Sequence, residues 1–147
     1  MKRDPSLQPL SREHHHALAQ ARAIRWALSG REGTPREARA GFLGVWTSTI
    51  APHFAAEERW ILPLVPETGD AERLRAEHEG LRAIVARVSK ELPETEPDHD
   101  LLRRLERALE EHIRWEERHL FPAIEAGAPA EALREIGERL AEAERRG

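Results

Sequence analysis

The chain has 147 residues, 39% hydrophobic and 34% charged, with 23 Lys and Arg against 27 Asp and Glu and a formal charge of −4. That length suits one domain with a real core, and the alternating charges read as solvated helix faces with no basic face for nucleic acid. Cysteine is absent, which excludes disulfides, iron–sulfur clusters, thiolate zinc sites and cysteine nucleophiles, so any metal must be held by nitrogen and oxygen. Tyrosine is absent too, removing a common ligand, radical site and acid/base group. The opening MKRDPSLQPLSREHHHAL lacks the apolar core of a secretory signal, and no run of about 18 apolar residues is available to span a bilayer. A cytoplasmic location and no membrane partner are expected.

In chain order, Ser11 is the expected cap of a first helix running to about Ser29, with Ala17, Leu18, Ala21, Ile24 and Leu28 at helical spacing and Gly30 as a stop. Thr34, Pro35 and Glu37 form a capping-box start for a second helix that reaches about Val65 with a kink near Pro52. Asp70 is the expected cap of a third, carrying Leu74, Leu81, Ile84, Val85 and Val88 before ELPETEPD breaks the chain. Asp98 caps a fourth, with Leu102, Leu105, Leu109, Ile113 and Leu120 leading toward Pro122. A short fifth helix, about 129–145, shows Leu133, Ile136 and Leu140 and is expected to pack across one end or to mediate self-association as a homodimer. The expected fold is all-α: a single domain over 1–147, with an up-down-up-down antiparallel four-helix bundle over about 11–125 and a short extra C-terminal helix.

An internal repeat carries the chemistry. HFAAEERWILPLV, from His53, aligns without gaps on HIRWEERHLFPAI, from His112, every pair 59 residues apart, and Glu13–His14 answers Glu77–His78 more weakly. The chain reads as a duplicated helical hairpin. A histidine and a glutamate four apart lie one turn above each other on one helix face, so both can reach a common metal. The spacing alone is weak, since chance gives roughly 1.5 His-x-x-x-acid pairs in a chain of this composition and two occur. Shared context and matching height are stronger. His14 lies 18 residues before Glu32 and His53 lies 21 after it, a mismatch of about 4.5 Å along the axis, and His78 and His112 are similarly level about the next connection. Six such groups buried without a cation would leave charges unpaired at several kcal/mol each.

In SREHHHAL, HFAAEERWILP, AEH and HIRWEERHLFP, in that order, the chain resembles the hemerythrin-like or HHE cation-binding proteins over roughly 11–125. The resemblance implies that His14, His53, His78 and His112 are terminal ligands and that Glu57 and Glu116 bridge two metals, one with His14 and His53, the other with His78 and His112. Five-histidine oxygen carriers of that family place two histidines four apart on the third helix; here Leu74 and Arg82 flank His78 at that spacing. With an oxo or hydroxo bridge, each six-coordinate ion then keeps roughly one open position, an arrangement suited to iron, with manganese or zinc as alternatives.

Within HHH, His14 is preferred to His15 because its +3, +7 and +10 neighbours are Ala17, Ala21 and Ile24, whereas those of His15 are Leu18, Arg22 and Arg25; His16 is expected on the surface. Glu58 and Glu117 are expected to support the ligands or to pair with Arg59 and Arg118, His119 to sit at the rim or add a ligand, and His99 to be exposed. Trp26, Trp46 and Trp115 are candidates for core or interface packing. The function expected is a non-haem di-iron protein binding dioxygen or a related small redox ligand, for sensing, storage or protection. Reduction of peroxide or nitric oxide as an enzyme, or a metal that merely pins the bundle, are the alternatives.

Overall fold

The structure, a computed structural model, describes residues 2–146; Met1 and Gly147, which the single-domain reading includes, lie outside the described residues. Helix α1 is Gln8–Leu28 and α3 is Thr68–Ser89. Helix α2 is continuous over 35–64, and α4 over 99–127. Helix α5 is Ala130–Arg146. No strand occurs among the described residues, and none of their helices is long and apolar enough to cross a membrane. Short connections make neighbours antiparallel, and α1 packs on α2 and α4 while α3 packs on α4 and α2, closing a four-helix ring.

Several ends follow from local chemistry. Gly30 ends α1 at a φ of 74° that favours glycine. The Thr34 hydroxyl accepts from Glu37 N–H at 3.1 Å while Thr34 N–H donates to the Glu37 carboxylate at 3.0 Å, a complete capping box. Asp98 caps α4 by accepting from Leu101 N–H at 3.1 Å. Two expected caps are corrected. Helix α1 starts three residues before Ser11, because Leu7 and Leu10 are drawn fully into the core and Pro9 is tolerated in a first turn whose N–H groups need no helical partner. Helix α3 starts at Thr68 with no side-chain cap, leaving Asp70 inside the first turn, where its charge suits the helix dipole.

The expected kink at Pro52 is one case of a wider pattern. Wide π turns occupy Trp46–Ile50, Glu57–Ile61 and Glu116–Leu120, each ending two residues before a proline: Pro52, Pro63 and Pro122. A proline cannot donate to the carbonyl four residues back, and its ring clashes there. Those carbonyls belong to Ser48, Arg59 and Arg118, the middle residue of each π turn, where the wider turn makes room.

Two apolar clusters fill the bundle. One, toward the α1–α2 and α3–α4 connections, gathers Ala21, Ile24, Phe42, Phe54, Leu102 and Leu105. The other gathers Leu10, Ile61, Leu74, Leu120 and Phe121 beneath Leu133, Ile136 and Leu140 of α5. Helix α5 therefore packs across one end, and its apolar stripe is buried within its own chain. Trp46 lies against Phe42 and Phe54, Trp115 is buried in the second cluster, and half-buried Trp26 has the Arg22 and Arg31 guanidinium groups over its ring.

Nothing in the sequence singles out Arg39, yet it is 2% exposed. It donates to the Glu91 carboxylate at 2.9 Å and to the carbonyls of Leu92, Pro93 and Thr95 at 2.9, 3.0 and 2.8 Å, tying the α3–α4 connection to α2. Removing it strands Glu91 and three carbonyls, so Arg39→Ala is expected to lower stability by about 2–4 kcal/mol in urea unfolding. A loss within about 0.5 kcal/mol, the usual surface value, would show that water replaces the clamp.

Candidate metal centre

A polar layer separates the two apolar clusters. Along α1 the buried face runs Leu10, His14, Ala17; along α3 it runs Leu74, His78, Leu81; on α2 and α4, His53 with Glu57 and His112 with Glu116 fill the same level. All six residues are at most 4% exposed, whereas His15 and His16 are exposed. The structure brings together the six side chains expected from the sequence, in two overlapping groups: His14, His53, Glu57 and Glu116, and His78, His112, Glu57 and Glu116.

The oxygens divide between the halves. His14 Nε2 lies 2.8 Å from Glu116 Oε1, and His53 Nε2 lies 3.1 Å from Glu57 Oε2. On the other side His78 Nε2 lies 2.9 Å from Glu57 Oε1, and His112 Nε2 lies 3.5 Å from Glu116 Oε2. Each carboxylate thus presents one oxygen to each histidine pair, the disposition a bridging ligand requires. Buried polar atoms with no hydrogen-bond partner, among the described residues, are His53 Nε2, His112 Nε2, Glu57 Oε2, Glu116 Oε2 and Arg3 Nε. All but the last point into this one place, so the donor set fits cations that would complete it.

Each histidine is also held from behind through Nδ1: His14 by Glu117 at 2.6 Å, His53 by Glu13 at 2.8 Å, His78 by Glu58 at 2.7 Å and His112 by Glu77 at 2.7 Å. Such a carboxylate fixes the ring's orientation and leaves Nε2 free for a metal. The duplication is complete here, since Glu13, His14, His53, Glu57 and Glu58 answer Glu77, His78, His112, Glu116 and Glu117. The roles of Glu13 and Glu77 escape the sequence reading, although their place in the repeat was the available signal. Glu58 pairs with Arg82 at 2.7 and 3.0 Å, and Glu117 with Ser11 at 2.7 Å and Arg3 at 3.1 Å, in place of the expected Arg59 and Arg118. Glu77 takes Arg73 at 2.8 Å. His119 is 58% exposed at its side chain and bonds Asp70 at 3.0 Å; His99 pairs with Glu96 at the surface.

The same carboxylates set the protonation of the centre. Burial disfavours the His14 imidazolium, but Glu116 and Glu117 outweigh it and raise its pKa. Burial is likewise overcome at His53 by Glu57, Glu116 and Glu13, which hold it well above its ordinary value, and at His112 by Glu116 and Glu77. For Glu57 burial pushes upward, yet His53 and His78 hold it well below the carboxylate range. Glu117, opposed by burial but bonded to His14 and Ser11, is lowered to about 2. Protons on His14, His53 and His112 are thereby favoured where cations would otherwise balance the carboxylates.

A raised histidine stabilises the metal-free fold below its unfolded value of 6.5 and loses that contribution as pH climbs through the folded value. A lowered Glu117 stabilises above 4.5 and is lost as pH falls through about 2. The melting temperature of the chelated protein is thus expected to fall as pH rises from about 6 to about 9, while apparent metal affinity rises over the same range as protons leave. Metal binding at neutral pH with no proton release would contradict this.

A family model described as the hemerythrin HHE cation binding domain matches residues 6–124, and again 69–146, the second match beginning where the internal repeat starts anew at α3. Comparisons with curated proteins and with solved structures return no match. The buried layer of histidine and glutamate lies inside the first match, and the chain belongs to the hemerythrin HHE cation-binding domain family.

Proposed function

We propose that the chain is a di-iron protein that binds dioxygen or a related small redox ligand, with His14 and His53 holding one iron, His78 and His112 the other, and Glu57 and Glu116 bridging. Four imidazole nitrogens and four carboxylate oxygens, with no sulfur, suit iron, and manganese or zinc have related preferences. Two ferrous ions there would supply one electron each to a small oxidant.

The observation that carries the ligand reading is a break in the duplication. Phe54 stacks on His78 with ring centroids 3.9 Å apart, covering that half of the layer. Its counterpart 59 residues on is the smaller Ile113. Beside His14 and His53, Ile113 helps line a largely enclosed cavity with Ala17, Ile50, Leu109 and an edge of Phe54 itself, with room for about one water-sized molecule. Five of its eight lining residues are apolar, which favours a small uncharged ligand. Glu13 lines the same cavity and bonds His53, linking it to solvent through a side chain 32% exposed. A metal that only pins the bundle gives no reason for unfilled space beside its ligands, so this cavity favours ligand binding.

Anaerobic reconstitution with ferrous iron is expected to load about two irons per chain, with charge-transfer absorption growing in on exposure to oxygen. Ile113→Phe, which restores the symmetry by filling the cavity, should keep the iron and suppress the oxygen response at least tenfold. No iron uptake rejects the di-iron reading, and an unchanged oxygen response in Ile113→Phe rejects the cavity. Sustained oxygen or peroxide consumption with a reductant, in place of a single-turnover response, would assign the same site to catalysis.

A further inference from the structure

Between α3 and α4, on the outer side of His112, runs an open groove of about 470 Å³, within the size range of small-molecule sites. Its floor is apolar, formed by Leu81, Ile84 and Ala108. At the end nearest His112 it meets Glu77 and Glu111, where Glu77 is already paired with Arg73 and His112. Toward the α3–α4 connection it meets Arg87 on α3 and Arg104 on α4, both exposed. Arg73 is engaged with Glu77 and the Trp115 ring, Arg82 with Glu58 and Arg103 with Asp100, whereas Arg107 lies outside the groove. Neither Arg87 nor Arg104 has a carboxylate or carbonyl partner among the described residues.

Counted from the middle of the connection near Glu94 and Thr95, Arg87 and Arg104 lie within about two residues of the same level, roughly 3 Å along antiparallel axes. Two arginines that line one groove from neighbouring helices, neither paired with a carboxylate, offer positive charge to an anion from both sides. The duplicated fold does not require them. Their counterparts in the first hairpin, at the offsets of the repeat, are Ala23 and Val45.

We propose that this groove binds a small organic anion, its flat apolar body on Leu81, Ile84 and Ala108 and its phosphate or carboxylate held between Arg87 and Arg104. One end of the groove reaches His112 and Glu77 of the metal layer, and the arginines would hold the anion at the other end. Flavin mononucleotide and 2-naphthyl phosphate are suitable probes, with riboflavin and 2-naphthol as partners that lack only the phosphate. With the metal-loaded full chain, calorimetric titration is expected to give saturable binding of the phosphates and at least tenfold weaker binding of the neutral partners. The double variant Arg87→Ala, Arg104→Ala should bring the phosphates to the level of the neutral compounds, with metal content and melting temperature unchanged. Gly80→Leu adds bulk where no atom lies within 4 Å of an added Cβ, and should block both compounds without harming the fold. No saturable binding of either phosphate up to about 1 mM, equal binding of the charged and neutral partners, or full binding by the double arginine variant would each overturn the proposal.

Discussion

Six ionisable side chains, His14, His53, His78, His112, Glu57 and Glu116, are stripped of water in one layer between two apolar clusters. An uncompensated buried charge costs several kcal/mol, and a domain of this size has only about 5–15 kcal/mol of net stability. The layer therefore needs something positive between its carboxylates, either protons on the imidazoles or metal ions. Raised histidine and lowered glutamate pKa values describe the first solution, and the unpartnered atoms at its centre describe the room left for the second. The four outer carboxylates, the α5 cap and the N-terminal turn through Leu7 and Leu10 all serve to hold this layer in place and dry.

Proline chemistry sets the register of the helices just beyond the layer. In a regular helix the residue seven beyond His112 returns to the same face, which is why His119 reads as a possible ligand. The π turn at Glu116–Leu120 takes up one extra residue, so the inward position passes to Leu120, which is fully buried, and His119 turns out to Asp70. The first hairpin does the same with Ile61 and Trp60. Since both π turns begin at the glutamate itself, one local device serves both halves of the centre.

Much of this was legible in the sequence because duplication made weak signals reinforce one another. Helix count, the box at Thr34, the cap at Asp98, the apolar stripe of α5 and the six inward side chains were all readable from periodicity, capping chemistry and the 59-residue repeat. What escaped depends on tertiary contacts. The early start of α1 follows from burial of Leu7 and Leu10 under a helix more than a hundred residues away. Arg39 looks like any surface arginine until a distant loop supplies its partners, and Glu58 chooses His78 and Arg82 on α3 over the adjacent Arg59, whose guanidinium lies over Trp60. The exchange of Phe54 for Ile113 was visible in the aligned repeat, but its meaning required seeing which histidine the phenyl ring covers.

The reading that one buried layer holds two cations sharing Glu57 and Glu116 turns on where metal sits in the bundle. Anomalous diffraction at the iron edge from crystals of the iron-loaded protein addresses it directly. Two peaks are expected inside the bundle, one against His14 and His53 and one against His78 and His112, both in contact with the two glutamates. A single peak, or iron bound only at the surface, would contradict it.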